Sequence, residues 1–445
     1  MPEEERQKRE AEKADKRKAR KNNGAKRDMH YEMEQEEHDV YPDDPDFDIN
    51  KARLVTTAPR ICVRYECVPM RFIKHVYRIH TYAQDGRLFE GKTPVSAFLN
   101  SSYDGSFIAG LMELRYIQSL PVERIINYFE SHGFTLKKPT AHKLMEKASS
   151  LFENLYKCIR QTALSDPYKA ADETYYKILV PEKNSKGKGV RKGYLWVVVG
   201  INTRMIYLLY DDGSRSEKVI LNELGGCKGI IQSDGYSPYR KLESDAYPHI
   251  TRIPCLQHIK RKFIDCGEDE PDAKRIVELI NTLYQNEHKH KIGVDGWTVE
   301  QNLVHRKKYA PDILGEIKDV LDDIEERGDL LPKSELKEAI TYLRNEWNAV
   351  VDIFNYGDTY LDNNIVERMN RYISLSRKNS LFFGSHKGAE RGAILYTIAL
   401  TCRMNKVNLF EYLTDVINRT AEWQPNTPLE KYRQLLPDRW EKAND

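Results

Sequence analysis

Between residues 168 and 255 the chain sets three strand-forming runs in a row and then alternates strands with helices. This order restricts the fold more than any other stretch. Residues 168–180 have a period of two: Ala170, Asp172, Thr174, Tyr176 and Ile178 share one face, and Glu173, Tyr175 and Lys177 take the other. A Lys/Gly loop at 183–192 leads to Tyr194-Leu195-Trp196-Val197-Val198-Val199, a run apolar enough to be buried on both faces. Asn202-Thr203-Arg204 then turns the chain into a third strand at 205–210. Strands joined this tightly form an antiparallel meander. Residues 214–224 read as a helix stopped by Gly225-Gly226, 229–233 as a short apolar strand ending in Asp234-Gly235-Tyr236, and 251–255 as a further strand after a short helix.

In the resulting order β-β-β-α-β-α-β-α, Asp172 lies within the first strand and Asp234 at the tip of the fourth. A right-handed crossover can make these strands neighbours, so both aspartates would meet at one sheet edge, in a ribonuclease-H-like arrangement. A third acid comes from the stretch Thr359-Tyr360-Leu361-Asp362-Asn363-Asn364-Ile365-Val366-Glu367-Arg368-Met369-Asn370-Arg371-Tyr372. Asp and Asn favour N-caps, so this reads as a helix with an Asn-rich entry. Glu367, Arg371 and Lys378 fall on one helical face, joined by Tyr360 if the helix starts early.

Asp172, Asp234 and Glu367 are separated by 62 and 133 residues. Carboxylates gathered without a cation raise one another's pKa. Divalent ions remove that conflict, and two Mg²⁺, replaceable by Mn²⁺, would serve phosphodiester chemistry. Among competing acids, Glu173 points to the opposite strand face, Asp211 and Asp212 suit a turn before Gly213, and Asp362 suits capping. Lys260, Arg261 and Lys262 after the fifth strand, with Arg368, Arg371, Arg377 and Lys378 around the acid helix, are assigned to DNA phosphates.

The expected class is α/β: a ribonuclease-H-like mixed sheet, interrupted by an all-helical insertion and preceded by a helix-turn-helix region. The boundaries are 1–50 for a charged tail, 51–100 for a small β-rich module, and 101–165 for the helical DNA-binding region. The catalytic core occupies 166–264 and 356–422 around the insertion at 265–355, and 423–445 is a tail. In the helical region, a helix ending at Ser131-His132-Gly133 precedes one opening near Pro139. Lys137, Lys138, Thr140, His142 and Lys143 would sit at the front of that second helix. In the insertion, Leu314, Ile317, Leu321 and Ile324 step by three and four, and Trp347 is read as core.

The net charge of +2 hides strong blocks: eleven Lys/Arg from Arg6 to Arg27, then ten acids and no Lys/Arg from Asp28 to Asn50. Such blocks are solvated tails or nucleic-acid arms. Seven cysteines without a dense framework fit reduced thiols in the cytoplasm. Zinc is weighed at Cys62 and Cys67 with His75 and His80, and at Cys255 and His258 with Cys266. The simpler readings are strand residues for the first two cysteines, and a packed thiol with a histidine near the DNA or metal site for Cys255 and His258. No apolar run reaches the length of a membrane span, and the charged N-terminus does not read as a secretory leader.

Five motifs occur in order: Ala171-Asp172-Glu173-Thr174; Ser233-Asp234-Gly235-Tyr236; Cys255 and His258 followed by Lys260-Arg261-Lys262-Phe263; Asp362-Asn363-Asn364 with Glu367-Arg368; and Arg377-Lys378-Asn379 with Leu381-Phe382 and Gly384-Ser385. Together they resemble the insertion sequence 66 family of bacterial transposases, from about Tyr103 to about Asn418. The resemblance implies that Asp172, Asp234 and Glu367 are a DDE set, with His258, Asn363 and Asn364 around it. It also implies a helix-turn-helix that recognises element ends, 3′-end cleavage, and joining to target DNA by direct transesterification. A dimer or higher oligomer on DNA, accessory element-encoded proteins and a place on the bacterial nucleoid follow from the same likeness. Family members commonly carry a Cys-rich zinc module near the N-terminus, whereas this chain has no Cys-x-x-Cys there. A nuclease without strand transfer and a DNA-binding regulator that has lost catalysis are the rival readings.

Overall fold

The computed structural model describes residues 70–442, apart from 77, 79–80, 85–86, 91–95, 99–100, 184–186, 188, 295, 329, 422 and 425. All of them belong to one unit that begins at Met70. The charged N-terminal blocks, Cys62, Cys67 and His80 lie outside the described residues. Strands β1 (Thr81–Gln84) and β2 (Arg87–Glu90) pair antiparallel.

The helical run then begins. Helix α1 (Gly105–Met112) is capped by Asp104, whose carboxylate accepts from the Phe107 N–H, and it continues into a π-helical turn at Glu113–Ile117. Helix α2 (Val122–Ser131) ends at a turn whose Gly133 has φ +82°, a conformation that favours glycine. Helix α3 (Lys138–Leu151) opens with Pro139 in its first turn, where the missing N–H costs nothing. Helix α4 (Glu153–Ser165) leads to the sheet.

The sheet holds β3 (Tyr168–Leu179), β4 (Val190–Gly200), β5 (Met205–Leu209), β6 (Gly229–Ser233) and β7 (Ile250–Pro254), in the order β5-β4-β3-β6-β7. Strands β3 to β5 form an antiparallel meander; β6 runs parallel to β3 and β7 parallel to β6. The fold is mixed α/β. Helix α5 (Glu217–Leu224), capped by Ser216, makes the crossover from β5 to β6, and α6 (Ser237–Arg240) separates β6 from β7. Leu195 to Val199 are all buried, as their unbroken apolar run demands.

After β7 come α7 (Leu256–Ile264) and the long helices α8 (Pro271–Glu287), α9 (Val299–Arg327) and α10 (Glu335–Ile353). These build a second apolar cluster, with Leu314, Ile317, Leu321 and Ile324 inside it and Trp347 packed against it. Helix α11 (Asn364–Asn379) carries Glu367, and α12 (His386–Met404) covers the outer strand of the meander. Strand β5 would leave an unpaired edge. Two threonines of α12 close it: Thr397 Oγ1 accepts from Leu208 N at 2.9 Å, and Thr401 Oγ1 bonds both Ile206 N and O. Between these helices the extended Phe383 pairs with Ile178, so 381–385 serves as a single rung beside β3. Helix α13 (Leu409–Thr420) and the short α14 (Leu429–Gln434) follow.

Candidate active site

The registers of β3 and β6 decide where the acids fall. Their parallel pairing runs Tyr168↔Ile230, Lys169↔Ile231, Ala170↔Gln232 and stops. Asp172 and Asp234 each lie two residues past that last rung: Asp172 within β3, which runs on to Leu179 beside β4, and Asp234 just past the carboxyl end of β6. In open α/β sheets this is where ligands bind, beside the strand at which the chain changes direction across the sheet. The Asp172 carboxyl is pushed up to about 8, first by burial, then by the charges of Asp234 and Glu173.

The segment before α11 is laid across the strand ends by backbone hydrogen bonds. Tyr360 N donates to the Tyr168 hydroxyl at 3.0 Å, and its carbonyl accepts from Gln232 at 2.8 Å. Leu361 O accepts from Leu256 N at 2.9 Å, and Asn363 N donates to Cys255 Sγ at 3.3 Å. The helix starts at Asn364, so Tyr360 precedes it and does not share the Glu367 face. Asn363 occupies the cap position without capping: its side-chain amide donates to Ala171 O at 3.0 Å. One turn past Glu367, Asn370 donates to Asp172 Oδ2 at 2.6 Å, while Oδ1 accepts from Glu173 N at 2.8 Å. Asn370 is the contact that sequence reasoning missed. Its position three residues after Glu367 already placed it on the same helical face.

The insertion holds Asp234 from behind. Tyr342 of α10 accepts from Gly235 N at 2.9 Å, and a Cβ at Gly235 would meet its hydroxyl at 2.4 Å and its ring at 2.6 Å. Fully buried Arg252 donates to Asp234 O at 3.1 Å and to Ser233 Oγ at 3.2 Å. It is also paired with Glu346 of α10 and, at 2.6 Å, with Glu243. Arg306 does the same for the return segment, donating to Tyr356 O and Thr359 O while paired with Glu287 at 2.7 Å.

Glu367 lies in a different pocket of contacts. Its Oε1 faces His258 Nε2 at 3.8 Å, and Cys255, His258 and Glu367 offer ligand atoms all within 4.8 Å of one another. Cys266, weighed as a partner for Cys255 and His258, is outside this group; its thiol donates to Lys262 O. Burial pushes the Cys255 thiol up to about 12, as suits a packed neutral thiol. Among the described residues, Glu367 Oε1, Asn363 Oδ1, Asn370 Oδ1 and His258 Nδ1 are buried without a hydrogen-bond partner. Orphaned acceptors beside a carboxyl held near neutrality are what cation-binding oxygens look like without their cation. Asp172 and Asp234 offer carboxylate oxygens of the kind hard divalent ions take, whereas the Cys255–His258–Glu367 group adds a thiol and an imidazole.

Glu173 is nearer the acids than its strand face suggests. It is paired with Arg215, hydrogen-bonded by the Tyr239 hydroxyl, and exposed to the Asp234 charge. Asp362 Oδ1 accepts from Asn364 N at 3.1 Å, a turn role. Asn364, Arg261, Lys262, Arg368, Arg371 and Lys378 are exposed, and Lys260 and Arg377 half-buried. Lys137, Lys138, His142 and Lys143 are exposed at the front of α3, with Thr140 half-buried, and Lys138 pairs with Glu123 at 2.6 Å.

A mixed five-stranded sheet with Asp172, Glu173 and Asp234 within one another's electrostatic reach defines an α/β protein with an acidic site. The chain belongs to the Transposase IS66 family, whose model matches residues 100–391. It is similar to Uncharacterized protein y4jD of Sinorhizobium fredii (strain NBRC 101917 / NGR234), 26% identical over 346 residues, covering 75% of this chain and 65% of that protein. This chain thus spans less than two thirds of that relative's length. Uncharacterized protein y4hP of the same organism is 24% identical over 438 residues, covering 89% of this chain and 76% of the relative. A third, Uncharacterized protein y4qI, is 26% identical over 384 residues, 82% of this chain and 69% of its own length. Among the described residues no helix is long and apolar enough to cross a membrane.

Proposed function

We propose that this transposase cleaves the ends of its DNA element and joins the freed 3′ hydroxyl to target DNA, using Asp172, Asp234 and Glu367 on a ribonuclease-H-like core. The observation that carries the reading is the register: two aspartates two residues past the last β3–β6 rung, with the Glu367 helix hydrogen-bonded to one of them. The three carboxylates would hold two divalent ions, Mg²⁺ or Mn²⁺. Such ions supply Lewis acidity at the attacking and leaving oxygens of a phosphodiester.

The chain's own groups do the rest. Asn370 fixes the Asp172 carboxylate, and Asn363 ties the helix entry to β3. Arg252 and Tyr342 hold the Asp234 backbone, so the acids are placed before substrate arrives. Lys260, Arg261, Lys262, Arg368, Arg371 and Lys378 have no carboxylate partner among the described residues and would neutralise phosphates. The α2–turn–α3 pair would act as the helix-turn-helix, presenting Lys137, Thr140, His142 and Lys143 to DNA. Two chains would bridge two ends.

The test is an element-end substrate with Mg²⁺ or Mn²⁺, beside a pre-cut substrate for joining. Metal-dependent cutting and joining is expected, both lost in Asp172→Asn, Asp234→Asn and Glu367→Gln. Cutting without joining of pre-cut ends would reduce the proposal to a nuclease, and DNA binding with neither would reduce it to a regulator.

A further inference from the structure

Beside the acids, on the β3–β4 ribbon, cations and aromatic rings alternate in a way the preceding reading does not use. The cross-strand register sets Tyr175 opposite Tyr194 and Lys177 opposite Lys192. Alternate positions share a face, so the four side chains form one patch. Arg377, from α11, lies 3.9 Å from the centre of the Tyr175 ring, and Lys192 lies 4.4 Å from it and 5.3 Å from that of Tyr194. Arg215 continues the row at 5.1 Å from Tyr194 and 4.1 Å from Tyr236. Tyr236 N donates to Asp234 Oδ1 at 3.1 Å, so the row ends at the acid pair.

Two features are unlike an ordinary structural face. Lys177 and Lys192 are exposed like charges placed directly opposite each other, an arrangement that destabilises a sheet unless an anion lies between them. Neither has a carboxylate partner among the described residues, nor does Arg377; of the row's cations only Arg215 has one, Glu173. Tyr175 is also 37% exposed despite being a large ring in mid-strand. Cations that track a backbone, interleaved with rings that accept bases, are how proteins hold unpaired nucleic acid.

We infer that the strip Lys177–Lys192–Tyr175–Tyr194–Arg215–Tyr236, with Arg377 alongside, is the track for an unpaired DNA strand entering the acid site. The phosphates lie on the cations and the bases against the tyrosines. Duplex DNA has its base faces already stacked, so the rings select a frayed or single-stranded end. The inference rests on the acid edge being the reacting site, but its test needs no cleavage.

The experiment measures binding of the full chain, without divalent metal, to a labelled duplex bearing an unpaired 3′ tail of about ten nucleotides, a length one such groove spans. A blunt duplex is the comparison. Lys177→Gln/Lys192→Gln is expected to weaken tailed binding and to lower the slope of log affinity against log salt by about 1.4, two single-strand phosphates' worth. Tyr175→Ala/Tyr194→Ala is expected to weaken tailed binding at least about fivefold, the low end for one base–aromatic stack. Tyr175→Phe/Tyr194→Phe, which keeps the rings, should restore it. Unchanged affinity and salt slope in the lysine and alanine variants would overturn the inference. So would an equal loss on the blunt duplex. Failure of the acid reading would instead show as normal cleavage by Asp172→Asn, with the tailed-binding losses intact.

Discussion

Replacing Asp172 by Asn should stabilise the metal-free protein in alkaline solution and change it little in acid. The Asp172 carboxyl sits at about 8 against an ordinary 3.8, through burial and the nearby Asp234 and Glu173 charges. As pH rises, the unfolded chain therefore loses this proton first. Stability falls between the two values and is level outside them. At about 1.36 kcal/mol per unit, the span from about pH 5 to about pH 8 has a ceiling of roughly 4 kcal/mol. Solvent reaching a half-buried group reduces that to on the order of 2–3 kcal/mol. The Asn variant escapes this penalty. It has one acceptor where ionised Asp172 uses two, for Glu173 N and Asn370, so above about pH 8 it forfeits one hydrogen bond worth about 1 kcal/mol. In acid the protonated wild-type carboxyl likewise has one carbonyl acceptor. Urea midpoints in chelator at the two pH values would measure the offset between variant and wild type. That offset should move in favour of Asn at the higher pH. If the proposed site takes Mg²⁺, millimolar Mg²⁺ should stabilise wild type more than the variant, which has one carboxylate fewer. An offset constant with pH, or equal Mg²⁺ stabilisation of both proteins, would refute the reasoning.

Removing the guanidinium with Arg252→Met leaves Glu243 without its partner and buried Glu346 with only Arg240 at 3.9 Å, and a denaturant titration should show a loss of about 3 kcal/mol. Gly235→Ala drives a methyl into the Tyr342 ring. It should cost about 1–3 kcal/mol and slow strand cleavage while leaving affinity for uncut DNA near wild type. Thr397→Val keeps the shape but strands the Leu208 N–H at the β5 edge, costing about 1–3 kcal/mol in thermal or chemical unfolding.

The meander and its two following strands were legible because period-two alternation, an unbroken apolar run and glycine stops each have one structural solution here. The helix ends at 131 and 138 were legible from Gly133 and Pro139 for the same reason. The acids could be placed at one edge from strand order alone, but not their orientation. Register gives Asp172 its neighbour Asp234, and no local pattern encodes where β3 and β6 stop pairing. The capping preference of Asn363 was outcompeted by a tertiary hydrogen bond to Ala171. Glu173 was set aside by face alternation, yet it feels the Asp234 charge all the same. The insertion read as a separate helical block. Its role in seating Asp234 through Tyr342, Glu346 and Arg252 depends on contacts roughly a hundred residues apart, which spacing does not reveal.

The most direct measurement is single-turnover cleavage of an element-end DNA by wild type and Glu367→Gln, at saturating enzyme with Mn²⁺. If Glu367 completes the site with Asp172 and Asp234, the variant should bind that DNA as wild type does and cut it at least about a hundredfold more slowly, the scale of losing one preorganised electrostatic group. Cleavage at the wild-type rate by Glu367→Gln would contradict the account.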